Sequence, residues 1–208
     1  MEKKRNFYNI FDKTALNEGE YTKKKEEKRE LKDIEIDIKP REYQQNIFEI
    51  AKDKNTLVVL PTGTGKTLIA LMLAIERKKK YPLSKILILA PTRPLVEQHY
   101  ETFKKLLPEL FMEMEMFTGS VHAGKRSEIF QTAEMIFSTP QCIANDLEKG
   151  IYDLKEVSLL VIDEAHRCLK NYDYTKVVDY YKRQSEMQRI LGLTASPGHE
   201  TDKVKRFA

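Results

Sequence analysis

Residues 56–78 read TLVVLPTGTGKTLIALMLAIERK, and the order of side chains in this stretch decides the architecture around it. The apolar run at 57–60 has the length of a buried strand. Pro61-Thr62-Gly63-Thr64-Gly65-Lys66-Thr67 follows as a turn, and an apolar helical pattern covers 68–75. Strand, glycine-bearing turn and helix in that order form a cradle for a phosphate chain. Glycines let the backbone wrap an anion without a Cβ in the way. The unpaired N–H groups and dipole at the helix start attract it. In such a cradle Thr62, Gly63, Thr64 and Gly65 line the loop. Lys66 reaches the β- and γ-phosphates, and the Thr67 hydroxyl holds Mg²⁺.

The pattern G-x-x-x-x-G-K-[ST] is met except at its first glycine, which falls on Leu60. A chance glycine-rich turn is the competing reading, and the strand–turn–helix context weighs against it.

Working outward, helical and strand patterns alternate. A helix is expected over 41–51 and another over 66–79. Strands are expected at 56–60, 86–90, 112–117, 135–138, 157–162 and 189–193. Helices are expected after a turn at 91–94 and through 107, near 123–130, from 139 to about 147 and over 174–184. Several strands are apolar throughout, as happens when helices cover both faces of a parallel sheet. Ligands of such sheets bind outside the carboxyl ends of the strands. Lys66, Arg93, Gly119, Gln141, Asp163 and Thr194 all fall there.

Val161-Ile162-Asp163-Glu164-Ala165-His166 is the second anchor. A carboxylate at the end of an apolar strand suits an Mg²⁺-orienting role for Asp163. Glu164 is placed to polarise an attacking water. Two acids after a strand also serve as helix caps, and the phosphate cradle a hundred residues earlier favours the nucleotide reading. Thr194-Ala195-Ser196-Pro197-Gly198 closes the last strand, and by itself reads as a turn.

Bulk properties bound the rest. The 208 residues carry 36 basic and 32 acidic side chains, a net charge of +4 that permits a nucleic-acid surface without requiring one. High Lys and Glu with no Trp hints at a heat-adapted source. Cys142 and Cys168 lack metal-ligand spacing, which fits a reduced, intracellular chain. With neither a signal-peptide pattern nor a run of about 20 apolar residues, a soluble cytoplasmic protein without membrane contact is expected. Residues 1–38 hold ten basic and ten acidic side chains, so the whole excess lies in 39–208. The run KKKEEKRELK at 23–32 reads as a solvated helix or a disordered arm. Ile34, Ile36 and Ile38 alternate with acids like a short extended lead-in.

PTGTGKT, DEAH and TAS, in this order and spacing, resemble motifs I, II and III of superfamily-two helicases, most closely the Hef/FANCM branch. Arg41-Glu42-Tyr43-Gln44 resembles that group's adenine-contacting element. Residues 90–98, APTRPLVEQ, resemble its motif Ia, Thr118-Gly119-Ser120 its motif Ib and Thr139-Pro140-Gln141 its motif Ic. The likeness covers about 39–205. It implies a RecA-like, P-loop, three-layer α/β sandwich with a mostly parallel sheet. It also implies an ATP-dependent helicase motor acting on nucleic acid, with branched or forked DNA favoured over RNA.

By that resemblance Arg41 and Gln44 hold adenine, while Gly63, Gly65, Lys66 and Thr67 hold phosphates and Mg²⁺. Asp163 and Glu164 serve metal and water. His166, Thr194 and Ser196 couple nucleotide state to the nucleic-acid face. Thr92, Arg93, Gly119, Thr139 and Gln141 touch the sugar-phosphate backbone of one strand. Such motors close ATP between two RecA-like domains, and these residues carry the motifs of the first. A second domain of the parent chain is therefore expected as partner, with little turnover by this chain alone. An RNA helicase or RNA-sensing motor, and a nucleotide-dependent binding module without turnover, are the alternatives.

Overall fold

The computed structural model describes residues 39–107, 112–169 and 172–195. The arm expected over 1–38 lies outside the described residues, as do Ser196, Pro197 and Gly198. The chain enters through α1 (Glu42–Asp53). It then alternates β1 (Thr56–Val59), α2 (Lys66–Lys80), β2 (Lys85–Leu89), α3 (Arg93–Leu106) and β3 (Met114–Phe117). α4 (Ala123–Thr132), β4 (Met135–Ser138), α5 (Pro140–Glu148) and β5 (Val157–Ile162) follow. A 3₁₀ turn (Ala165–Leu169), α6 (Tyr172–Gln184) and β6 (Ile190–Thr194) complete the described chain.

The six strands form one sheet in the order β1-β6-β5-β2-β4-β3, with every pairing parallel. Parallel crossovers are right-handed. The rightward steps from β1 to β2 and from β2 to β3 therefore put α2 and α3 on one face. The three leftward steps put α4, α5 and α6 on the other. Tyr100 and Phe103 of α3 pack edge-on against Phe137 of β4 on the first face. Phe130, Ile143, Leu147, Tyr174, Val178 and Tyr181 build a single buried cluster on the second.

β2, β4, β5 and β6 are buried at every position, whereas β1 and β3 are only partly covered. The sheet order gives the reason, since β1 and β3 are its edges. The alternation at 112–117 condenses into a shorter edge strand from Met114. The 157–162 and 135–138 strands fall where the apolar runs put them. Other ends move by one or two residues, the usual fraying. The 3₁₀ turn after β5 is absent from the periodicity, because five residues are too few to show one. At the amino end of the sheet, Arg77 Nε donates to Ser158 O at 3.0 Å and Lys85 Nζ to Ala133 O at 3.0 Å. These buried cations knit loops together on the edge away from the phosphate loop. No helix among the described residues is long and apolar enough to cross a membrane.

Candidate functional site

The carboxyl edge of the sheet collects the residues that the sequence singles out, and strand order sorts them. β1, β6 and β5 are consecutive, so the phosphate loop after β1 and Asp163 after β5 flank Thr194 at the end of β6. Adjacent strands are about 4.8 Å apart, so β1 and β5 are about 10 Å apart, room for a phosphate and a small cation. β2, β4 and β3 form the other half of the edge, and behind them follow Thr92 and Arg93, Thr139 and Gln141, and Gly119.

In the phosphate loop Gly63 and Gly65 both adopt φ +80°. Gly65 caps α2 in the left-handed conformation, turning the chain sharply from loop to helix. Thr64 Oγ1 donates to Pro61 O at 2.6 Å and closes the loop on itself. Lys66 Nζ donates to Leu60 O at 2.8 Å and Pro61 O at 3.2 Å, which holds the ammonium across the loop. Thr67 is half-buried in the first turn of α2, and Thr62 is exposed.

Helix α1 grips the same loop. The buried Gln44 amide donates to Thr64 O at 3.1 Å and Gly65 O at 3.3 Å, and its Oε1 accepts from Arg41 N at 2.8 Å. Tyr43 OH donates to Thr64 O at 2.6 Å, and Arg41 Nη1 donates to Tyr43 OH at 3.4 Å. Arg41 and Gln44 thus sit beside the phosphate loop. Tyr43 is named in the sequence only as a member of the 41–44 element, and its bond to the phosphate loop, which spans 21 residues, shows in no local pattern.

Asp163 is held from three sides. Its N–H donates to Leu89 O at 2.8 Å, and its carbonyl accepts from Tyr174 OH at 3.1 Å. Its Oδ2 lies 2.7 Å from His99 Nε2. An ionised carboxylate only accepts, so the imidazole carries its hydrogen on Nε2. Neither His99 nor Tyr174 emerged from the sequence, for no local pattern links α3 or α6 to the end of β5. Burial pushes the Tyr174 phenol up and the Cys168 thiol up to about 12, so both stay protonated at neutral pH.

Glu164 has φ 51°, the one positive value at a non-glycine among the described residues. Such a conformation costs about 1–2 kcal/mol and persists where the surroundings enforce it. His166 Nδ1 lies 2.9 Å from Thr194 Oγ1 and 3.1 Å from Glu164 Oε2. Leu60 N–H donates to Thr194 O at 3.1 Å. Thr194 therefore touches the phosphate-loop strand through its backbone and the acidic turn through its side chain.

On the other half of the edge, Thr92 and Thr139 occupy the N-cap positions of α3 and α5. Neither hydroxyl makes the capping hydrogen bond, so capping alone does not account for them. Arg93 and Gln141 are exposed, as is Gly119. Arg93 pairs with Glu97 at 2.8 Å on the surface of α3.

Thr67 and Asp163 offer hard oxygen donors. No cluster of three or more His, Cys, Asp or Glu able to hold a metal occurs among the described residues. This donor set fits Mg²⁺, which takes one or two protein oxygens and completes its shell with phosphate and water.

Comparison with known proteins follows the same lines. The DEAD/DEAH box helicase family profile matches residues 41–204. The chain is 40% identical over 167 residues to "ATP-dependent DNA helicase MPH1" of Candida albicans, covering 80% of this chain and 14% of that one. It is 39% identical over 170 residues to "ATP-dependent DNA helicase fml1" of Schizosaccharomyces pombe, covering 82% and 20%. "DEAD-box ATP-dependent DNA helicase Fancm" of Drosophila melanogaster is 38% identical over 168 residues, covering 79% and 11%. The solved Pyrococcus furiosus Hef helicase domain superposes with a TM-score of 0.75 at 46% identity, covering 81% of this chain and 35% of that one. The chain thus spans a fifth or less of these curated relatives and about a third of the solved domain.

Proposed function

The chain belongs to the DEAD/DEAH box helicase family, on the side of its Hef and FANCM relatives, and from that premise we propose that it is the ATP-binding motor domain of an ATP-dependent helicase or translocase acting on branched or forked DNA. The observation that carries this reading is the strand order, which gathers the loops after β1, β6 and β5, read as the phosphate half, beside those after β2, β4 and β3, read as the strand-contacting half, with Asp163 where the two meet.

In this reading the N–H groups around Gly63 and Gly65 receive the β-phosphate, and Lys66 leaves its loop carbonyls for the β- and γ-oxygens. Asp163 and Thr67 hold Mg²⁺, which neutralises charge on those oxygens when bound. Glu164 orients the attacking water and takes its proton. Arg41 and Gln44 contact adenine. Because the Gln44 amide already spends both donors on the loop, base binding and loop shape act on the same side chain. Thr92, Arg93, Gly119, Thr139 and Gln141 grip the backbone of one strand. Such contacts ignore base identity, as a motor that passes every base requires. His166, Thr194 and Ser196 link the two halves. A second RecA-like domain of the parent chain completes the ATP site.

The test is nucleotide binding by the 208-residue chain, followed with a fluorescent ADP analogue. Lys66→Ala removes a charged hydrogen-bond donor worth about 1.5–3 kcal/mol, a loss of about 10–100-fold in affinity. Unchanged affinity would sink the nucleotide reading. Competition between forked DNA and duplex RNA of equal length then tests the substrate, and preference for RNA would overturn the DNA assignment.

A further inference from the structure

We propose that His99 is the positioning residue for the Asp163 carboxylate, fixing which oxygen that carboxylate offers to the metal. The inference rests on the reading above that Asp163 serves Mg²⁺. His99 lies on the buried stripe of α3, between Val96 and Phe103, where the helix otherwise presents apolar groups to the sheet. A polar ring in such a stripe is costly unless it is paired. Its partner is Asp163 Oδ2 at 2.7 Å, and the two side chains are 11% and 12% exposed. The contact spans 64 residues of sequence.

The geometry around Asp163 explains why a donor is needed there. The backbone of Asp163 is fixed by Leu89 on one side and Tyr174 on the other. Neither bond sets the rotation of the carboxylate about its own side-chain torsions. The His99 N–H sets it by engaging Oδ2, which leaves Oδ1 for the cation or its water. Carboxylates that serve metals are oriented by such partners, and losing one typically weakens metal binding by about 10–100-fold. The contact also joins the two halves of the site, because α3 begins at Thr92 and Arg93 in the strand-contacting half.

The experiment measures affinity of the full 208-residue chain for a fluorescent ADP analogue, in EDTA and across a Mg²⁺ titration. His99→Leu is expected to raise the Mg²⁺ concentration giving half of the metal-dependent gain by about tenfold. Affinity in EDTA stays at that of the unaltered chain. His99→Gln, which keeps an N–H at a similar reach, restores the unaltered Mg²⁺ requirement. If the leucine variant does not fold, His99→Asn replaces it, since the shorter amide stays polar but falls short of Oδ2. A purely structural histidine lowers the melting temperature and the EDTA affinity together and leaves the Mg²⁺ midpoint unmoved; that result overturns the inference. If the unaltered chain shows no Mg²⁺-dependent gain, the metal reading of Asp163 itself falls and takes this inference with it.

Discussion

Gly63 and Gly65 share a backbone conformation but not a surrounding, and the difference separates two reasons for glycine. A Cβ on Gly63 meets nothing within 4 Å, so only its φ of +80° opposes a side chain. A Cβ on Gly65 lies 2.5 Å from Gln44 Nε2, so a substitution there also displaces the α1 amide. Gly63→Ala is therefore expected to cost about 1–2 kcal/mol, the left-handed penalty alone. Gly65→Ala costs more, and it breaks the bonds from Gln44 to Thr64 and Gly65. Adding Gln44→Ala to Gly65→Ala relieves the clash but not the backbone strain. A urea-unfolding double-mutant cycle reads this as a coupling energy that Gly63→Ala paired with Gln44→Ala lacks. Equal costs at the two glycines would refute the distinction. The need for glycine at both positions is legible in the sequence because the motif is local. Gln44 as a wall of the loop is not, since it arrives through the packing of α1.

At the scale of elements, a buried ion pair braces the half of the edge formed by the loops after β2, β4 and β3. Arg126 of α4 donates through Nε to Asp146 Oδ2 of α5 at 2.6 Å, and a second guanidinium nitrogen reaches Oδ1. Arg126 Nη1 also donates to the carbonyls of Thr118 and Val121, which bracket Gly119. Tyr152 OH donates to Asp146 Oδ2 at 2.9 Å, while its ring stacks on Phe130 at 4.1 Å. Burial and the neighbouring Asp146 charge push the Tyr152 phenol up, so it remains a donor at neutral pH. Asp146 is 1% exposed and Arg126 8%, so solvent screens the pair little. Removing one partner of such a pair typically costs 3–5 kcal/mol, so Arg126→Met is expected to lose about that in a urea titration. Arg126→Met with Asp146→Leu recovers much of the stability, because an apolar replacement of both leaves no buried charge. It does not recover the grip on Thr118 and Val121, so weaker DNA binding with unchanged nucleotide affinity is the expected pattern. Full DNA affinity in the double variant would show that the loop holds itself. None of this was legible beforehand. Strand and helix boundaries follow from periodicity, but Arg126 looks like any charged helix residue until its partner twenty residues away is known.

For the whole molecule, the alternation of apolar strands with helices made a parallel sheet legible, and the motif order made the site's ingredients legible. The strand order was not, because nothing local says that β6 inserts between β1 and β5. Yet that insertion is what puts Thr194 between the phosphate loop and Asp163, while the separate pairing of β4 with β2 and β3 gathers the loops after those three strands. The same geometry bounds what these 208 residues do alone. In the proposed reading, the phosphate-facing groups among the described residues gather at the edge of one sheet, which leaves the far side of a bound ATP to a partner. In phosphoryl transfer an arginine supplied from outside such an edge accelerates the reaction by about 10³–10⁵. In the motors that this chain resembles, that arginine belongs to the second RecA-like domain. The isolated chain is therefore expected to bind nucleotide in a Lys66-dependent way yet show almost no ATP hydrolysis, even with saturating forked DNA. Phosphate release measured with and without DNA decides the matter. A strong DNA-stimulated rate would mean that the charge stabilising the transition state comes from this chain, and Arg41 and Arg93 at the same edge would be the first side chains to remove.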